Sequence, residues 1–477
     1  MSKSALRGKY TAYPEYKDSG VEWLETIPEH WITSKLRYTF SFGKGLTITK
    51  ENLKDTGIPC VSYGEVHSKY GFEIDPLRHP LKCVDEEYIQ SSSYALLKNG
   101  DIVFADTSED IDGSGNFTQL VSDELVFAGY HTIIARPFDR ECSRFYAYLL
   151  DSKELRTQIR HAVKGVKVFS ITQAILRGVN IWLPPIEERA QITNFLDHET
   201  AKIDTLIDKQ QQLIKLLKEK RQAVISHAVT KGLDPDVSMK DSEVEWLGEV
   251  PDHWVVLALR RIIVLMEQGK SPECENVPAL ESQWGVLKTS CVNYGIFHAG
   301  ENKALPIYIL PHEKYEVKAG DVLMSRASGS IKLIGSVAIA QADVRGKLLL
   351  SDKVFRIRLS EMVLSEYFAY LMGTPYIRTL IERAISGAEG MANNITKSSI
   401  MEFIGTLPPL DEQLSIVEYL NSQSKRFDNL ISKAEKGSLL FQERRTALIS
   451  AAVTGKIDVR NWQNPVNQEA QKQEAGE

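Results

Sequence analysis

Cysteine is scarce in this chain: five in 477 residues, at Cys60, Cys83, Cys142, Cys274 and Cys291, widely scattered and never in a CxxC pair. An odd, dispersed set offers neither a disulfide framework nor a zinc site, and it suits a reducing, cytoplasmic setting. Long apolar runs are missing too. The first residues, through Lys17, hold no apolar signal core, and no stretch reaches the roughly 20 apolar residues that span a bilayer. A membrane partner is therefore not expected. A net charge of −6 is too mild to indicate a chain coated in nucleic acid, though it leaves room for a local basic face.

The common catalytic signatures are also absent. There is no GxxxxGK[ST] phosphate loop, no HExxH, and no Asn/Asp-Pro-Pro-aromatic tetrapeptide. Phe127-Ala128-Gly129-Tyr130-His131 lacks the second glycine of a methyl-donor FxGxG, and Glu316-Val317-Lys318 has no nearby Pro-Asp to complete a nuclease cluster. No catalytic, cofactor-binding or metal-binding residue is expected on this chain.

What is present is a repeat. Residues 183–230 and 407–454 align without a gap at an offset of 224, and their apolar positions correspond pair by pair at helical spacing. Ile192, Leu196, Ile203, Leu206, Leu217 and Val224 form one stripe; Ile416, Leu420, Phe427, Leu430, Phe441 and Leu448 form the other. Prolines at the start, acids in the first turn (Glu187, Glu188; Asp411, Glu412) and glycines at the end (Gly232, Gly455) bound each stretch. A helix of about 40 residues is roughly 60 Å long. Two with matching stripes would pack together as a spacer. Gly437 and Ser438 stand where Leu213 and Ile214 stand in the first copy, which predicts a kink or a partner contact there.

A shorter motif also recurs. Val21-Glu22-Trp23-Leu24 with Ile27-Pro28-Glu29-His30-Trp31 returns as Val244-Glu245-Trp246-Leu247 with Val250-Pro251-Asp252-His253-Trp254. Base stacking or metal binding by these residues is the sharper reading; a packing latch at a domain junction is the better supported one. The chain is thus a tandem duplication. Its expected segments are a domain at 1–182 whose first 17 residues are a loose lead-in, a long helix at 183–232, a second domain at 233–406, a second long helix at 407–458, and a polar, disordered tail at 459–477.

Both globular stretches read as α+β. Short strands are expected around Ile102-Val103-Phe104, Val126-Phe127, Ile133-Ile134, Val322-Leu323, Val337-Ala338 and Val354-Phe355, with one helix at 143–164 and another at 365–386. The two stretches match only at scaffold words such as Gly100-Asp101 and Gly320-Asp321, so a shared frame carries divergent surfaces. Basic residues that could meet phosphates are Arg160, Lys164 and Lys167 in the first, and Arg383 and Lys397 in the second. Base-reading candidates follow the matched strands: Asp106, Thr107 and Ser108, against Arg326, Ser328 and Ser330. A carboxylate suits a cytosine amino group and an arginine suits guanine. Lys44, Ser62, Tyr63, Lys288 and Thr289 lie in further polar turns.

In the doubled Val-Glu-Trp-Leu and Pro-x-His-Trp motifs, the doubled Leu-Pro-Pro helix starts, and the endings Ala228-Val229-Thr230 and Ala452-Val453-Thr454, the chain resembles the specificity subunits of type I restriction–modification systems. The resemblance covers nearly the whole length. It implies an α+β fold with two target recognition domains joined by two long antiparallel helices as a coiled-coil spacer, in a pseudo-twofold arrangement. Each domain would bind half of a split double-stranded DNA target. Two modification subunits and the motor/nuclease subunits would dock on the chain, bringing S-adenosylmethionine and ATP with Mg. The competing readings are a stand-alone methyltransferase or nuclease with degenerate motifs, and a coiled-coil protein scaffold.

Overall fold

The long amphipathic stretches form single uninterrupted helices, Ile186–Lys231 and Leu410–Val453. Their leading prolines stand outside: Leu183 still belongs to strand Asn180–Leu183, and the Pro185 carbonyl accepts the Arg189 N–H at 3.0 Å as the first turn closes. Gly232, at φ +79°, stops the first helix, a left-handed turn that glycine adopts without penalty. The second helix runs through Gly437 and Ser438 without a break.

This computed structural model describes residues 10–163, 165, 168–385 and 393–465. It divides into two units, Met1–Gln211 with Glu435–Glu477, and Gln212–Ala434. Each unit therefore owns the beginning of one long helix and the end of the other.

The first unit is built around a five-stranded sheet in the order Phe40–Lys44, Thr132–Pro137, Ile102–Ala105, Phe117–Leu120, Phe72–Ile74. Alternation along its central strand explains why Ile102–Ala105 is apolar throughout. Ile102 and Phe104 enter a core shared with helix Ser143–Asp151 and the long helices; Val103 and Ala105 enter a second core under strands Ile58–Val61 and Phe127–Ala128. Both faces are covered, so neither can be polar. The second unit repeats the plan with four strands, Ile263–Gln268, Val354–Leu359, Val322–Ser325 and Val337–Ile339, again between two cores.

Asp101 and Asp321 do more than shape turns. Both are buried, and each caps its own turn through the backbone N–H of Lys98 or Lys318 at 3.0 Å. Asp101 also binds Arg140 at 2.9 Å, and Asp321 binds Arg358 at 2.7 Å and Arg356 at 3.1 Å. Buried carboxylates persist only when so paired.

Within each unit the two long-helix segments run antiparallel. In the first, Ile192, Leu196, Ile203 and Ile207 share a core with Leu448, Ile449 and Val453, and Arg445 reaches across to Asp204 at 2.9 Å. In the second, Ala228 and Val229 meet Ile416, Val417 and Leu420, and Arg221 reaches Asp428 at 2.7 Å. Phe427 is also buried, while Leu217, Val224 and Phe441 are half-buried. Leu206 and Leu430 depart from the expected stripe, at 41% and 40% exposure. Their neighbours Ile207 and Ile431 take the inward position, and one residue further along a helix turns about 100° away from it.

Where each globular segment hands over to its long helix, the strand also caps the other helix. The Trp182 indole donates to the Val453 carbonyl at 2.5 Å, and the Thr406 hydroxyl donates to Val229 at 2.6 Å. These carbonyls belong to the last turns, which have no partner within their own helix.

The Trp-His motif is a latch in both units. Glu188 accepts from Trp31 Nε1 at 2.9 Å and lies 2.7 Å from His30 Nε2, with the Tyr13 hydroxyl as a further donor. Glu412 accepts from Trp254 Nε1 at 2.8 Å and also meets His253.

Four further expectations require correction. The lead-in is held from residue 10 onward: Tyr13 is buried on the latch, and the Tyr16 hydroxyl donates to the Gly455 carbonyl at 2.8 Å. The tail is packed through its first residues, since Val459 is buried and Trp462 meets Phe195 edge-on, so the expected start at 459 is too early. Residues 466–477 lie outside the described residues. The 143–164 helix is two helices, Ser143–Asp151 and Lys153–Ala162, because Ser152 is extended and caps the second. The 365–386 helix likewise divides into Ser365–Met372 and Pro375–Ala384, since proline disfavours a helical residue before it.

Replacing Glu188 by Ala leaves two buried donors without an acceptor and should cost about 3 kcal/mol, read as a lower urea midpoint. The Glu412→Ala loss should be smaller, because Glu412 is 37% exposed against 6% for Glu188. Equal midpoints for wild type and Glu188→Ala would refute the latch.

Candidate nucleic-acid interface

Each central strand ends in the same backbone device. In the first unit the Asp106 N–H donates to the His131 carbonyl at 3.1 Å, and the Asp106 carbonyl accepts from Ile171 at 2.7 Å. In the second, Arg326 does the same with Lys353 at 2.9 Å and Ile395 at 3.0 Å. Two-stranded ribbons follow directly: Thr107–Ser108 with Phe169–Ser170, and Ala327–Ser328 with Asn393–Asn394. The frame is common, but an acid beside a histidine in one unit stands where an arginine beside a lysine stands in the other.

The first unit gathers most of its candidates around this ribbon. Asp106 lies 3.2 Å from His131 Nδ1, on a half-exposed pair. His131 sits at φ +55°, a strained backbone conformation for a residue with a side chain. His67 stacks on Tyr63 at 5.0 Å and meets the Ser108 hydroxyl at 3.1 Å. Burial, followed by the nearby charges of Glu109, Asp110 and Asp106, pushes the Tyr63 phenol up. Arg160 reaches the same loop, donating to the Asp112 carbonyl at 3.0 Å. Lys44 ends its strand exposed, paired in register with Ile133.

In the second unit Arg326 is half-buried and donates to the Asp352 carbonyl at 3.2 Å, which leaves further N–H groups of its guanidinium for another partner. Ser328 lies on the ribbon, and Ser330 is exposed just beyond it. Lys397 stands 5.7 Å above the Phe355 ring. Lys288 and Thr289 follow strand Gly285–Leu287, half-buried, and Arg383 is exposed on helix Pro375–Ala384.

Two candidates are displaced from any contact role. Ser62 and Ser108 are fully buried; the Ser108 hydroxyl is used on the Asp110 carbonyl at 2.6 Å. Both were polar residues near a turn, and sequence alone does not distinguish a turn's inside from its outside. Lys164 and Lys167 lie outside the described residues. Two arginines close in sequence to these candidates are internally engaged: Arg156 with Asp151 at 2.9 Å, and Arg378 with the Ile331 carbonyl at 2.8 Å. Sequence reasoning missed His67, His131, Asn393 and Asn394. Only His131 had a signal, in the Phe-Ala-Gly-Tyr-His string that proves to be strand Phe127–Ala128 and its turn.

Among the described residues no group of three or more acids, histidines or cysteines is placed to hold a metal, and no helix is long and apolar enough to cross a membrane.

Comparison with known proteins agrees with this architecture. Residues 28–216 match the family described as the type I restriction modification DNA specificity domain. The chain is 25% identical over 448 residues to the type I restriction enzyme EcoKI specificity subunit of Escherichia coli K12, covering 88% of this chain and 91% of that one. It is 27% identical over 461 residues to the putative type I restriction enzyme MjaX specificity subunit of Methanocaldococcus jannaschii, covering 93% and 98%. A solved structure from work on complex assembly and conformational transition of the type I R-M system shares the fold, with a TM-score of 0.63 at 16% identity, over 90% of this chain and 99% of that one. With the doubled latch, the paired long helices and the matched ribbons, these likenesses make the chain similar along most of its length to type I restriction–modification specificity subunits.

Proposed function

We propose that the chain is the DNA-reading subunit of a type I restriction–modification complex, with one recognition domain for each half of a split target. The observation that carries this reading is the common backbone frame bearing opposite charge, Asp106 with His131 against Arg326 with Lys353. One frame with two chemistries is what two different half-sites require, since carboxylates accept from cytosine and arginine is suited to guanine. Phosphate contacts fall to the exposed Lys44, Arg383 and Lys397.

The long helices supply the distance. At 46 and 44 residues they are roughly 65–70 Å long, enough to hold readers over half-sites one DNA turn, about 34 Å, apart. The chain's part is recognition and assembly. Two modification subunits would bring S-adenosylmethionine, and motor/nuclease subunits would bring ATP with Mg, all in the cytoplasm.

Lengthening both helices tests the spacer. Four residues added after Gln211 and four after Ala434 add about 6 Å, which should widen the unspecified gap by about two base pairs and leave both half-sites unchanged. Methylome sequencing of cells carrying the variant reads this directly; an altered half-site with an unaltered gap would contradict it.

Arg326→Ala should relax one base position in one half-site, with a loss of about 1–3 kcal/mol at the preferred base, measured by binding to a panel of single-base variants. A uniform loss across the panel would make Arg326 a phosphate contact instead.

A further inference from the structure

The second unit contains a cleft of about 440 Å³ next to the Arg326 frame, a size suited to a small ligand. Val286 and Leu287 give it an apolar wall, and Lys288, Lys303 and Lys353 line it. None of the three ammonium groups is in an ion pair or hydrogen bond among the described residues, whereas most arginines of this unit are engaged. Among the residues that line the cleft, Glu273 is the acid set against these three lysines. The lining is therefore net cationic.

Ser351 supplies an independent sign. It lines the same cleft at 3% exposure, and its hydroxyl has no hydrogen-bond partner. A buried hydroxyl without a partner is unusual in a folded protein, and an acceptor oxygen entering the cleft would satisfy it. The first unit has no equivalent chemistry: matching strand registers put Gly129, His131 and Ser62 where Ser351, Lys353 and Lys288 stand.

We propose that this cleft binds a phosphate group, either of a DNA strand passing the second unit or of a free nucleotide, with the lysines neutralising it and Ser351 donating to one of its oxygens. The DNA source rests on the recognition reading above; the nucleotide source does not.

The test uses the full chain, as wild type, as the double variant Lys303→Met/Lys353→Met, and as Ser351→Ala. Duplex binding is measured against salt, and AMP and inorganic phosphate are titrated by calorimetry. If the phosphate belongs to DNA, the slope of log K against log salt falls by about 2 in the double variant, equally for every half-site sequence. If it belongs to a free nucleotide, AMP binds the wild type and at least tenfold more weakly the double variant, with the salt slope unchanged. Ser351→Ala deletes a hydroxyl with no partner to lose, so it should spare the fold and weaken the same binding about threefold. An unchanged slope together with no binding of AMP or phosphate overturns the proposal, as does full-strength binding by Ser351→Ala. Wild-type protein without salt-sensitive DNA affinity would defeat the recognition reading, and the AMP titration would then decide the cleft alone.

Discussion

A single carboxylate in the first turn of each long helix holds each unit together. Glu188 and Glu412 sit where the helix N-terminus favours negative charge, and each spends that charge on the indole and imidazole of a Pro-x-His-Trp segment more than 150 residues earlier in the chain. The bond fixes where the recognition segment begins relative to the helix that ends it. It is stronger than a neutral hydrogen bond because the acceptor is ionised, and in the first unit its burial strengthens it further. The terminal caps, Trp182 on Val453 and Thr406 on Val229, then tie the same corner to the other helix.

On that anchored frame the reading surface is free to vary. Asp101 and Asp321 keep the entry to the central strand alike in both units, each a buried carboxylate paired with arginine, and the backbone bonds of Asp106 and Arg326 keep its exit alike. Side chains at the exit carry no packing duty comparable to that of Val103 or Leu323, whose cores enclose them on all sides. Recognition chemistry can therefore change sign between the units without disturbing the sheets.

The sequence disclosed periodicities and repeats, and little that depends on distant partners. The long helices, the latch and the central strands were legible because burial on fixed faces imposes a period of 3.6 or 2, and because duplication printed each pattern twice. Leu206 and Leu430 were misplaced because adjacent leucine and isoleucine give the stripe two candidate positions, and only packing selects between them. Tyr13, Val459 and Trp462 looked like terminal residues because nothing local indicates that the core of the first unit closes over them. At the candidate site, the positions of Asp106 and Arg326 follow from the strand they end, whereas Ser62 and Ser108 face inward and His67 joins the ribbon from a separate segment.

Two readers on one frame imply a target with a particular form, and selection from random-sequence duplexes by the chain, alone and with the modification subunit proposed for it, tests that form most directly. The selected sequences should contain two short specified blocks of different composition separated by an unspecified gap of constant length. One contiguous block, or enrichment no better than that of unselected DNA, would contradict the assignment of a separate half-site to each domain.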